Sequence, residues 1–75
     1  NEHMLKRTKE TSQKLGKKIQ KLRKELGLSQ EQFAFKLSIS RTHAGHIEQG
    51  RRSPSLEMLD KIARVLRVKV KDLFP

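Results

Sequence analysis

Residues 29–50, SQEQFAFKLSISRTHAGHIEQG, limit what this chain can fold into more than any other stretch. Ser29 is a good helix N-cap and Gln32, three residues on, completes a capping box, so the spacing predicts a helix that opens at Gln30. Phe33, Ala34 and Leu37 fall on one face of it, leaving Gln30, Glu31 and Lys36 outward. Ser38, Ile39 and Ser40 then leave room only for a sharp corner, after which Ser40 caps a second helix, about 41–49, ended by Gly50. Ala44 and Ile47 are its inward residues. Helices of about two turns do not hold in water alone, so the rest of the chain must supply partners for them.

Those partners are legible on either side. Ser12 is a candidate cap for a first helix, 13–26, whose Leu15, Ile19, Leu22 and Leu26 recur at helical spacing while its other face is almost entirely Lys and Gln. Gly16 inside it costs about 1 kcal/mol against Ala, which a close helix crossing would offset. Gly27 suits the position just past the helix end. Beyond Gly50, Ser53-Pro54 signals a turn, and Ser55 caps a helix through Leu66 with a core stripe of Leu56, Leu59, Ile62, Ala63 and Leu66. A last short helix, about 70–74, is expected to pack Leu73 and Phe74 back on the bundle. Met58, Val65, Val70 and Phe74 lie on a flank and read either as a seam to a second subunit or as a broad core stripe. Residues 1–12 are expected to be a basic flexible tail, either simply solvated or an arm reaching nucleic acid, with a cloning remnant at 1–4; residues 13–75 form the domain.

The second helix of the 29–50 stretch carries Arg41, Thr42, His43 and His46 outward, clustered where backbone amides and the helix dipole favour an anion. A helix of this kind is shaped for the major groove of DNA. The chain has 18 Lys and Arg against 8 Asp and Glu, a formal net charge of +10, which favours a polyanionic partner. With three Phe and no Trp or Tyr, stacking platforms for single strands are scarce, so double-stranded DNA is the expected partner.

Other classes are poorly supplied. A domain of 75 residues buries only about 60% of the surface its unfolded chain exposes, leaving little room for an enzyme pocket. No cysteine is available for a disulfide or a thiolate metal site. His43 and His46 are three apart on a helix, but no third ligand shares their face, so no metal site is expected. No nucleophile and base pair up, so no catalytic residue, cofactor or small-molecule ligand is expected. No apolar run approaches the roughly 18 residues of a membrane span, nor does the start resemble a signal peptide, and the expected location is the cytoplasm.

Taken together, LGKKIQKLR at 15–23, GLSQEQFA at 27–34, HIEQGR at 46–51 and SLEMLDKIARVL at 55–66, followed by DLF, resemble the Cro/repressor-type (XRE-like) helix-turn-helix family of phage repressors, restriction-modification controller proteins and small bacterial regulators. The resemblance covers residues 15–74. It implies an all-α, compact five-helix bundle of the phage-repressor DNA-binding type, a transcriptional regulator that binds a specific duplex sequence, and a homodimer. It also implies that Arg23 pairs with Glu48, that Gln30 reaches a phosphate or the edge of the site, and that Arg51 and Arg52 clamp phosphates. On this reading Arg41, Thr42 and His46 face base edges with Gln30 beside them, His43 approaches a phosphate, and Ser29, Ser40 and Ser55 place helix N-termini where their amides join the phosphate contacts. Two positions depart from the family pattern: Ser38 and Arg67 stand where many relatives carry glycine. Phe35 stands where relatives are usually polar, as an interface residue, a contact to the first helix or an exposed aromatic. The alternative function is an antitoxin or protein-interaction adaptor that keeps DNA binding for autoregulation; a third is DNA compaction with little sequence preference. No partner-binding extension past Pro75 is expected, which favours the DNA-binding regulator over these.

Overall fold

Four helix ends in this protein are built the same way, and they set the path of the chain. A computed structural model describes residues 2–74, with side chains from residue 9 onward. Its elements are α1 (Glu2–Glu25), α2 (Gln30–Leu37), α3 (Arg41–Glu48), α4 (Leu56–Leu66) and a single 3₁₀ turn, η1 (Val70–Leu73). After each α-helix one residue takes a left-handed conformation: Gly27, Ser38, Gly50 and Arg67. The following amide then reaches back to the helix, Leu28 to the Arg23 carbonyl, Ile39 to Ala34, Arg51 to His46 and Val68 to Ala63. These bonds satisfy carbonyls that the helix termini would otherwise leave orphaned, and each turns the chain sharply.

Three of the four expected N-caps are present. Ser29, Ser40 and Ser55 accept hydrogen bonds from the amides of Gln32, His43 and Met58, and the Gln32 side chain returns the bond to the Ser29 amide. Leu15, Ile19, Phe33, Ala34, Leu37, Ala44, Ile47, Leu59, Ile62, Ala63, Leu66 and Leu73 form one core between the helices. Lys61 of α4 donates to the Leu37 carbonyl at 3.0 Å and so holds the end of α2.

Several sequence expectations need correction. There are four α-helices among the described residues, not five: the last element is a 3₁₀ turn, because the chain becomes extended again at Phe74 before an α-helical bond can close. The first helix begins at Glu2 and not at Gln13, so the backbone of 2–12, read as a tail, continues α1. Nothing between Glu2 and Ser12 is Gly or Pro, and Ser12 does not cap; its hydroxyl hydrogen-bonds that of Ser53 at 2.7 Å. Asn1 lies outside the described residues. Leu26 lies past the end of α1 and is 42% exposed, Leu56 at the first position of α4 is 84% exposed, and Phe74 is 40% exposed beside a fully buried Leu73. These residues keep the helical period but sit where no neighbouring helix covers them.

The crossing of α1 over α3 positions everything described next. Gly16 lies directly on the end of α3: a Cβ there would stand 2.4 Å from the Glu48 carbonyl oxygen and 2.5 Å from that of Ile47. Gly50, with φ of 75°, is also packed on α1: a Cβ there would stand 2.7 Å from the Gln13 Cα.

Candidate nucleic-acid interface

On α3, Ala44 and Ile47 point into the core and hold the helix by its back. Its front is therefore fixed: Arg41 and Thr42 are exposed, and His43 and His46 are half-buried at its edge. Gln30, Arg41, Thr42, His46 and Arg51 line one shallow hollow, together with Gly45 and Gln49. The helix spacing brings Thr42, Gly45, His46 and Gln49 to a single face, and the turn at Gly50 returns Arg51 beside it. Gly45 and Gln49 were missed by sequence reasoning, although i, i+3, i+4, i+7 counted from Thr42 marks both.

Behind the hollow lies a buried ionic network. Arg23 is only 6% exposed. Its Nε donates to Glu48 Oε2 at 2.6 Å, its Nη2 to Glu48 Oε1 at 3.0 Å, and its Nη1 to the Leu28 carbonyl at 2.8 Å. The fork matches the carboxylate on both oxygens, the geometry that compensates for the cost of desolvating two charges. Gln30 Nε2 donates to the same Glu48 Oε1 at 3.3 Å. Glu48 thus fixes three elements at once: α1 through Arg23, the start of α2 through Gln30, and α3 on which it sits. The side chain of Gln30 is laid over Gly45, where a Cβ would be 3.6 Å from its amide atoms.

The remaining candidates surround this centre. Ser29, Ser40 and Ser55 are exposed, and each hydroxyl oxygen accepts its own helix's amide, which leaves the hydroxyl hydrogen to donate outward. Arg52 is exposed in the turn after α3, its amide bonded to the His46 carbonyl at 3.3 Å. His43 and Arg52 do not line the hollow. No helix among the described residues is long and apolar enough to cross a membrane.

Two short capped helices meeting at a corner, the second held by its back with cations and hydrogen-bonding groups along its front, define a helix-turn-helix DNA-binding unit. The helix-turn-helix family matches residues 19–73, and the chain belongs to that family in its Cro/repressor (XRE-like) form. The control protein C.MunI of a Mycoplasma species is 44% identical over 62 residues, covering 81% of this chain and 84% of that protein. Among solved structures, the restriction-modification controller protein C.AhdI of Aeromonas hydrophila superposes with a TM-score of 0.79 at 37% identity, over 83% of this chain and 94% of its own. SinR, the master regulator for biofilm formation, solved in complex with DNA, gives 0.73 at 33% identity, over 79% of this chain and 95% of its own. The chain is accordingly a DNA-binding transcriptional regulator; its family is one of regulators and not a class of enzymes.

Proposed function

We propose that the protein binds a specific duplex operator with α3 in the major groove, acting as a homodimer in the cytoplasm. The observation that carries this reading is the shared hollow: Gln30, Arg41, Thr42, His46 and Arg51 come from two helices and a turn, yet line one surface depression. Arg41 suits the two acceptors of a guanine, Thr42 offers a hydroxyl and a methyl, and His46 makes a single bond. Gln30, held by Glu48, reaches the edge of the same site. Around them the hydroxyls of Ser29, Ser40 and Ser55, with His43, Arg51 and Arg52, engage phosphates and fix the orientation without carrying sequence information. The DNA-bound state of the SinR structure and the controller roles of C.MunI and C.AhdI support the same reading.

Exposed apolar surface supports the dimer: Leu56 opens α4 and is largely uncovered, and Phe74, just after η1, keeps a substantial part of its surface exposed. Met58, Val65 and Val70, the rest of the expected seam, are largely taken up in packing against the core. Selection of bound duplexes from a random pool tests the whole proposal. A two-fold-related sequence with half-sites about 34 Å apart is the expected product; a pool that stays unenriched after repeated rounds would refute sequence reading by α3.

A second reading, a protein-interaction adaptor, rests on Phe35. It is 84% exposed on α2, beside Leu28, and packs on neither the first helix nor the core. Its test is whether Phe35→Ser abolishes a stable protein complex in cells while leaving duplex binding intact.

A further inference from the structure

A second concentration of charge lies on α1, outside the helix-turn-helix. Lys14, Lys17, Lys18, Lys21 and Lys24 recur three and four residues apart, so they form one ridge along the helix. None has a hydrogen-bond or ion-pair partner among the described residues. Glu10 and Glu25, at the two ends of the ridge, form no ion pair with it either. Like charges at these spacings oppose helix formation, so the ridge is a standing cost to the fold that no intramolecular contact relieves.

Its chemistry narrows the partner. No apolar side chain lies within the ridge, so it has nothing to insert into a bilayer interface, and no aromatic lies on the described part of α1 for bases to stack on. What remains is a row of point charges suited to the phosphates of a duplex. From Lys14 to Lys24 the helix rises about 15 Å, which spans about four phosphates of one strand.

Its placement sets it apart from the α3 face. Gly16 and Arg23 of α1 are seated on α3, and Lys14, Lys18 and Lys21 lie about 140° or more around the helix from each of them. The molecule measures 24 and 21 Å along its two shorter axes, so a duplex seated on α3 leaves these lysines facing elsewhere. We propose that the lysine ridge of α1 is a second, sequence-blind duplex site, which holds a neighbouring DNA segment while α3 occupies its operator.

Lysine acylation read by mass spectrometry tests this with a short duplex of random sequence as the probe. The duplex should slow acylation of Lys14, Lys18 and Lys21, and should do so equally in an Arg41→Ala/Arg52→Ala variant, whose α3 face is disabled. Neutralising about four phosphates predicts an affinity loss on the order of a hundredfold between about 50 and 200 mM salt, and protection should vanish accordingly. In a second arm, protein loaded on bead-bound duplex should capture a fluorescent duplex; replacing all five lysines by Gln should abolish capture, and replacing them by Arg should keep it. Acylation rates indifferent to duplex, protection lost in the Arg41→Ala/Arg52→Ala variant, equal protection by phosphatidylserine vesicles, or undiminished capture by the Gln variant would each overturn the proposal. Failure of the α3 reading alone would instead leave the acylation pattern intact.

Discussion

Ser38 and Arg67 occupy left-handed backbone, both at φ of 60°, where a Cβ is crowded and glycine is not. Each is exposed, so only its backbone conformation opposes the residue present. Ser38→Gly and Arg67→Gly should each stabilise the fold by about 0.5–1 kcal/mol, after allowing for glycine's greater freedom in the unfolded chain. Thermal unfolding would show this as a rise in Tm of a few degrees; a fall would mean that these side chains make a contribution their exposure hides. Among the cations, position separates readers from clamps. Arg41 lines the hollow and Arg52 does not, so Arg41→Ala should cost about 1–3 kcal/mol on the operator and relax its sequence preference, whereas Arg52→Ala should weaken all duplexes alike. Equal losses on operator and unrelated duplex for both variants would remove that distinction.

At the scale of elements, the α1–α3 crossing is the joint on which the reading surface depends. Gly16→Ala gains about 1 kcal/mol of helix propensity. It also drives a Cβ into two backbone carbonyls that cannot move without shifting α3, so the net effect should be a lower denaturation midpoint and weaker DNA binding together. Gly45→Ala is the control: its Cβ meets only the Gln30 side chain at 3.6 Å, an ordinary contact, and the variant should be at least as stable as the parent. The Arg23–Glu48 pair belongs to the same joint. Removing Arg23 alone leaves a buried carboxylate and should cost about 3–5 kcal/mol, most of the stability of a domain this size. Arg23→Met with Glu48→Leu should recover much of that in urea titrations, because neither charge is then stranded. The double variant should still bind its operator poorly, since Gln30 loses the acceptor that holds it; full binding would show that the network stabilises the fold without aiming the surface.

For the molecule as a whole, the question is how one small domain obtains specificity. A single α3 offers few base-reading groups, and two copies on one duplex double that information. Leu56→Ser combined with Phe74→Ser should shift sedimentation toward monomer and reduce operator affinity, with each domain still folded, because both residues are exposed in the single chain. A parent protein that stays monomeric at high concentration, with and without operator, would rule out the dimer. The shape carries a further feature: α1, 24 residues or about 36 Å long, accounts for the whole of the 37 Å long axis.

The sequence by itself determined whatever is decided within a few residues of chain. Ser29, Ser40 and Ser55 cap where they do because an oxygen two bonds from the backbone meets the next free amides, and the corner at Ser38–Ser40 follows from the lengths of α2 and α3. The α1 start was not legible in this way: residues 2–12 lack an apolar stripe, and only the continuity of helix-forming residues carries the helix through Ser12. Tertiary structure alone decided which ends of each apolar stripe are covered, leaving Leu26, Leu56 and Phe74 exposed. It also decided that Gln30 is held by Glu48 and that Gly45 and Gln49 join Arg41 at one surface. Periodicity tells which side of a helix is apolar, but not how far its neighbours extend along it; that depends on where helices distant in sequence cross.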